Sequence, residues 1–372
     1  MKKLMQTLCV AAATLAVAAC GGNHQYDISA TVGNNNHDGE MVYLIDRATD
    51  AVVDSATVAD GNFTFTGSVQ KPWMGNIVSA KSKNRLNVQC VVEPGNITID
   101  IANQTLAGTK LNNSLNDFQV ALNRNAAPYE EEMATWLQIY YQTSNPAERA
   151  DAERRYDSIE AIVDAMALAR ATDLYQANAH NVLGAYAMSV MTSTAKYSFI
   201  QLDSMLSAAD PMVQSYGPVA AKLKQLRAVD ATSVGKHYTD IEGVDGRLSD
   251  LIDGRLALVD FYASWCGPCR AEIRDNIVPL WNKYKDSGLV VVGLNVWERG
   301  SRAEREAAHA KVMADLGITY PQLVDSTRHA TETYGVSGIP QIMLIAPDGT
   351  ILARDLRGAA IEAAIVEHLK TK

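Results

Sequence analysis

The sequence predicts a multidomain α+β chain: a β-sandwich-like module near the N-terminus, a helical middle region, and an α/β domain at the C-terminus. Three observations predict it. Between residues 24 and 108, short apolar runs recur between turn signals, the pattern of a small sandwich or barrel. From Leu111 the apolar spacing lengthens, through Leu115, Phe118 and Leu122, to that of one helix face. From residue 235 onward, strand-like and helix-like stretches alternate, as they do where helices cover a central sheet. At 372 residues the length suits roughly two or three domains. The expected division is a leader at 1–19, a β-rich domain at 20–108, a helical region at 109–232 and the α/β domain at 233–372.

The leader reads as a targeting segment. Lys2-Lys3 forms a short positive region and Leu8 to Ala19 an apolar core, too short for a typical membrane span. It ends Leu15-Ala16-Val17-Ala18-Ala19-Cys20, followed by Gly21-Gly22. This run resembles the bacterial lipobox, with Val17 in place of the commoner Leu. The resemblance implies lipidation at Cys20, a membrane anchor and a periplasm-facing lipoprotein of the cell envelope. The absence of Asp after Cys20 leans towards the outer membrane. An ordinary signal peptide would also export the chain.

Charge is modestly acidic, 33 basic residues against 42 acidic, and Lys2 and Lys3 leave with the leader. That balance argues against nucleic acid as a partner. Of five cysteines, Cys9 lies in the leader and Cys20 at its end. Cys90 stands alone in a strand-like run, where a thiol is usually inert filling. Cys266 and Cys269 remain as a Cys-x-x-Cys pair, so the chain is no disulfide scaffold.

The β-rich part carries runs at Ile28–Val32, Met41–Asp46, Ala51–Val58, Asn62–Thr66, Asn76–Ala80, Leu86–Val92 and Ile97–Ile101, with turns at Asp60-Gly61 and Pro94-Gly95. Phe63 and Phe65 alternate with polar neighbours, as in a half-buried strand. The middle region is expected to hold about four or five helices, with Asn145-Pro146 and Asp210-Pro211 at their starts. In the last domain, Ala257 to Ala263 reads as a buried strand and Arg270 to Lys285 as a helix. Leu289–Val296, Gln322–Val324, Gln341–Ile345 and Ile351–Asp355 are further strands, and Pro347-Asp348-Gly349-Thr350 is a hairpin turn.

Trp265-Cys266-Gly267-Pro268-Cys269 lies between that buried strand and that helix. A Cys-x-x-Cys at a strand-to-helix turn is where redox dithiols are built. At a helix N-terminus, the dipole and free N–H groups favour a thiolate on Cys266. Cys269 follows one turn on, and Pro268 suits the first turn, where its missing N–H is no loss. Half of a zinc site, or a structural bridge, is the competing reading; for zinc, no second Cys-x-x-Cys and no His pair at metal spacing is present. No metal or other cofactor is therefore expected.

The run Val259-Asp260-Phe261-x-Ala263-x-Trp265-Cys266-Gly267-Pro268-Cys269 resembles the active-site run of thioredoxin, and Gly338-Ile339-Pro340 resembles that fold's cis-proline turn. The opening at His237 to Leu251 and the long helical stretch before Pro321 resemble the extracytoplasmic TlpA/ResA branch. The resemblance covers residues 235–372 and implies a thioredoxin fold and a thiol:disulfide oxidoreductase. It implies disulfide-bearing proteins as substrates, a membrane electron donor for re-reduction, and a part in cytochrome c maturation. Cys266 would attack and Cys269 resolve. Asp260 matches the buried carboxylate behind the dithiol, its pKa raised by desolvation. Glu272 matches the acid of Cys-x-x-Cys-x-x-Glu, although Arg274 stands where that branch often has Pro. Ile339 and Pro340 would face the dithiol and bind substrate backbone, and Trp265 would shape the site. With the same Gly-Pro pair, thioredoxin is a reductant near roughly −270 mV.

Two other readings compete. A thiol peroxidase would carry Pro and Thr seven and three residues before its reactive cysteine, where this chain has Val259 and Ala263. A lipid-anchored binding or assembly protein would work through its first two regions.

Overall fold

The computed structural model describes residues 24–33, 37–80, 86–194, 197–244 and 246–369. The leader and Cys20 therefore lie outside the described residues. By compactness the chain divides into one unit of residues 1–135 with 181–183 and a second of 136–180 with 184–372. The division falls inside the helical region.

Among the described residues the first unit begins with eight strands: β1 (Gln25–Thr31), β2 (Met41–Asp46), β3 (Val52–Thr57), β4 (Asn62–Ser68), β5 (Trp73–Ser79), β6 (Asn87–Val92), β7 (Gly95–Asp100) and β8 (Thr105–Ala107). They form two four-stranded sheets, β4-β1-β7-β8 and β3-β2-β5-β6. Only the β1–β7 pairing is parallel. Strict alternation buries Tyr26, Ile28 and Ala30 on β1 and Phe63 and Phe65 on β4, because side chains of period two reach one face. The two Phe rings meet edge to face at 5.7 Å.

Helix α1 (Lys110–Ala126) follows. Its N-cap Thr109 makes no capping hydrogen bond of its own. Glu93, beyond the end of β6, accepts from the Leu111 N–H at 2.8 Å instead, where a carboxylate also meets the positive end of the helix dipole. Asn112 is fully buried. Its side chain takes both the N–H and the C=O of Val91, each at 2.8 Å, satisfying backbone groups on the edge strand β6.

Among the described residues six further α-helices make up the middle region: α2 (Glu130–Gln142), α3 (Pro146–Asn178), α4 (Val182–Thr194), α5 (Phe199–Ser207), α6 (Pro211–Ser215) and α7 (Gly217–Ala231). The expectation of four or five helices was too low. Beyond the expected start at Asp210-Pro211, a break at Tyr216 and Gly217-Pro218 separates α6 from α7, as proline at a first turn allows. Asn145 and Asp210 do cap α3 and α6.

The last domain begins with a short hairpin, β9 (Glu242–Gly243) and β10 (Gly246–Arg247), and a helix, α8 (Leu248–Ile252). Then come β11 (Leu256–Tyr262), α9 (Gly267–Glu272), α10 (Val278–Tyr284), β12 (Leu289–Asn295), α11 (Arg302–Leu316), β13 (Gln322–Val324), α12 (His329–Thr333), β14 (Gln341–Ile345), β15 (Ile351–Ala353) and α13 (Ala359–Leu369). The sheet order is β13-β12-β11-β14-β15, with β11 parallel to β12 and antiparallel to β14. Leu258 and Tyr262 pack on the face with Cys269, Ile273, Val312 and Ile361. Val259 and Phe261 pack on the opposite face with Leu248, Ile252 and Ala330. The helix expected at Arg270–Lys285 starts earlier, at Gly267, and is interrupted by a π-helical turn at Ile273–Ile277.

Asn112→Ala should weaken the β-rich unit by about 2–3 kcal/mol, because it strands two buried backbone groups of Val91. Hydrogen exchange at β5 and β6 of the full chain under increasing urea is the check; unchanged protection would contradict it.

Candidate active site

Every residue of β11 is buried, so the strand delivers its C-terminal end to the site with little freedom. The chain leaves at Ala263, turns through Ser264 and Trp265, and enters α9 with Cys266 as N-cap. The Cys269 N–H points at Cys266 Sγ, 3.2 Å away. Cys266 and Cys269 are joined as a disulfide. Cys266 is 4 % exposed and Cys269 is fully buried, so an incoming sulfur meets Cys266 first. Val259 and Ala263 are buried and apolar, with no hydroxyl to offer near the sulfur.

Across the dithiol the Ile339–Pro340 bond is cis. The Ile339 carbonyl oxygen lies 3.8 Å from Cys266 Sγ. Gln341, the next residue, opens β14 opposite Phe261, which holds the turn beside the end of β11.

Asp260 is fully buried. It has the parity of Leu258 and Tyr262, and so lies on the face of the sheet that carries Cys269. Neither carboxylate oxygen has a hydrogen-bond partner among the described residues. Burial raises its pKa to about 8, and the negative charge of Glu272 adds to the rise, while Arg357 opposes it. Among the described residues no Lys or Arg forms an ion pair with it.

Glu272, at the end of α9, is half-buried. Its Oε1 accepts from the Gly358 N–H and from Asn276 Nδ2, both at 2.8 Å. The neighbouring Arg357 donates to the Pro340 carbonyl. Arg357-Gly358 therefore ties the acid after the dithiol to the proline turn. Arg274 lies in the π-helical turn and pairs with Asp275.

The sequence reading missed the residues that hold the motif loop. Glu298 accepts from the Ser264 N–H and hydroxyl, each at 2.6 Å, and from Asn295 Nδ2 at 2.8 Å. Trp265 is 43 % exposed; its indole N–H donates to the Trp297 carbonyl at 2.9 Å. The Arg299 guanidinium stacks over its ring at 3.9 Å. Trp297-Glu298-Arg299 follows β12, whose parallel register sets Asn295 opposite Tyr262. The available signal was that a strand parallel to the motif strand ends beside the motif, so polar residues just past it deserve a place in the site.

Residues 228–354 match the AhpC/TSA family. The thiol:disulfide interchange protein HelX of Rhodobacter capsulatus is 31 % identical over 155 residues, 41 % of this chain and 77 % of that protein. The chain belongs to the thioredoxin-like thiol:disulfide oxidoreductases. The thiol-disulfide oxidoreductase ResA of Geobacillus thermodenitrificans is 27 % identical over 146 residues, 39 % of this chain and 78 % of that protein. The crystal structure of the thioredoxin domain of a thiol-disulfide oxidoreductase from Bacteroides vulgatus covers 37 % of this chain and 98 % of its own, at 26 % identity and a TM-score of 0.33. Residues 26–115 match a domain of unknown function, DUF4369.

This oxidoreductase thus gathers Cys266, Cys269, Asp260, Trp265, Ile339 and Pro340 at the C-terminal end of β11, with Glu272 one helix turn beyond Cys269. Cys90 is fully buried in the β-rich unit, and burial pushes its thiol up to about 12, which keeps it protonated and unreactive. Among the described residues, no group of three or more His, Cys, Asp or Glu is disposed to hold a metal ion.

The Asp260 shift has a sign for stability. Between the ordinary aspartate value of 3.8 and about 8, the folded chain holds a proton that the unfolded chain releases. Stability therefore falls as pH rises through that window. Asp260→Asn should leave stability nearly unchanged at pH 4 and raise it by on the order of 5 kcal/mol at pH 8. Denaturation midpoints of the oxidised chain against pH are the check; a pH-independent difference would contradict it.

Proposed function

We propose that this oxidoreductase reduces disulfides of exported proteins on the periplasmic side of the cell envelope. The observation that carries the reading is the Cys266–Cys269 pair at the N-terminus of α9, with the more accessible sulfur beside the Ile339 carbonyl. In the reduced chain the Cys266 thiolate attacks one sulfur of the substrate disulfide. A mixed disulfide forms and the other substrate sulfur leaves as a thiolate, which takes up a proton. Cys269 then loses its proton to Asp260 and attacks Cys266 Sγ. The enzyme disulfide closes and the second substrate thiol is released. Two electrons pass from the enzyme dithiol to the substrate disulfide. A membrane dithiol donor returns them.

Several features support these roles. The Cys269 N–H aimed at Cys266 Sγ would stabilise a thiolate there, as helix N-termini do. An unpartnered carboxylate with a pKa near neutrality suits a proton acceptor for a buried thiol. Ile339 and Pro340 offer backbone to an extended substrate strand, and the exposed face of Trp265 lines its approach. Glu272, held by Gly358 and Asn276, acts on Asp260 by its charge and assists the resolving step.

Lipidation of Cys20 would anchor the chain to a membrane, the outer one by the residues that follow it. Among the described residues no helix is long and apolar enough to cross a membrane. Cytochrome c maturation is the case in which the substrate disulfide belongs to a haem-attachment Cys-x-x-Cys. The β-rich and middle regions would present the dithiol domain to its partners.

Alkylation of the reduced chain against pH should show one thiol with a pKa below the free value of about 8.5, lost in Cys266→Ser. A low-pKa thiol that disappears only in Cys269→Ser would reverse the assignment. In its own cell envelope, Cys269→Ser should accumulate mixed disulfides with exported proteins, whereas Cys266→Ser should trap none. Trapping by neither variant would contradict the reading.

A further inference from the structure

A second feature adjoins the dithiol that exchange chemistry itself does not need. Trp297 takes up a left-handed backbone, φ 54°. Its carbonyl holds Trp265, and its ring N–H donates to Thr331 Oγ1 at 3.3 Å. Beside it opens a cavity of about 360 Å³, with Trp297, Arg328 and Thr331 on one wall and Ala221 and Lys224 of α7 on the other. The α7 wall is fixed in place. Gln225 Nε2 donates to the Gly335 carbonyl at 3.0 Å, and Lys224 pairs with Glu332 at 2.7 Å. A Cβ on Gly335 would lie 2.6 Å from the Gln225 carbonyl oxygen, so the two backbones are in close contact.

The charges around this cleft are unevenly satisfied. Glu298 is taken up by Ser264 and Asn295, Glu332 by Lys224, and Asp315 by Arg270 and Lys311. Arg299, stacked on Trp265, and Arg328, on the rim of the cavity, are both exposed. Among the described residues neither has a carboxylate within 4.0 Å; Arg328 acts on Glu332 only at longer range. Two guanidinium groups without a carboxylate partner among the described residues thus lie near Trp297, on a chain whose net charge is −9. Guanidinium groups bind carboxylates in paired hydrogen bonds, and a cationic rim beside a cleft raises the arrival rate of anionic ligands.

We propose that Arg299 and Arg328 recognise an acidic stretch of the substrate polypeptide beside the cysteine that Cys266 attacks, and that the cleft between Trp297 and α7 receives one of its side chains. This deepens the proposed reduction of protein disulfides and rests on it. It also gives the middle region a part in substrate choice, because α7 supplies one wall.

The test uses the reduced full chain and synthetic peptides with one cysteine, each blocked as its mixed disulfide with 2-mercaptoethanol. The cysteine is flanked by Glu and Asp, by Lys, or by Ser. The acid-flanked peptide should react about tenfold faster than the Lys-flanked one at low salt. That ratio should shrink towards one above roughly 0.5 M salt. The double variant Arg299→Glu with Arg328→Glu should reverse the order. A wild-type ratio of one, or a preference for Lys, overturns the proposal, and this comparison decides it even if the variant does not fold. The neutral 2-hydroxyethyl disulfide serves as the reference. Reaction with it but without an acid preference overturns the recognition site alone. No reaction with it overturns the exchange reading, and the recognition site falls with it.

Discussion

Strand β11 is covered on both faces, and among its seven residues Asp260 is the one that carries a charge-bearing group. A carboxylate taken out of water without a partner is costly, and the usual relief is to keep its proton. The packing of Leu258, Tyr262, Cys269 and Ile273 around that face makes this relief necessary. The same packing fixes where the strand ends, and therefore where the helix carrying the dithiol begins. Fold and chemistry share one constraint: the core that positions Cys266 is the core that leaves Asp260 dry.

The two sulfurs occupy unlike environments as a result. Cys266 sits where α9 presents free N–H groups and where the turn before β14 brings a backbone carbonyl. Cys269 sits inside, on the Asp260 face. Helix dipole and access favour charge on the first, whereas the second is shut away from solvent. The link from Glu272 to Gly358, and from Arg357 to the Pro340 carbonyl, couples the helix after the dithiol to the turn across from it. Arg357 also bears on Asp260, so one short segment acts on both the buried carboxylate and the cis-proline turn.

Much of this was legible in the residues. The apolar run into Trp265-Cys266-Gly267-Pro268-Cys269 marked strand, turn and helix, and an Asp inside that run could only be buried. Alternation at Phe63 and Phe65 marked a half-buried strand. What stayed hidden depends on long-range contact. Glu93 capping α1, Asn112 closing the edge of β6, and Glu298 holding Ser264 each join segments that local pattern cannot relate. The helix count in the middle region was low in part because Gly217-Pro218 interrupts an apolar rhythm that otherwise runs on. The π-helical turn at Ile273–Ile277 left no mark, since its residues suit an α-helix equally well.

The proton at Asp260 can be observed directly. Carboxyl ¹³C shifts of aspartate-labelled oxidised chain, followed against pH with Asp260→Asn to assign the signal, would measure it. One aspartate titrating at about 8 and missing from the variant is the predicted result. Titration of every aspartate below about 5 would contradict it, because burial would then not be holding the proton on Asp260.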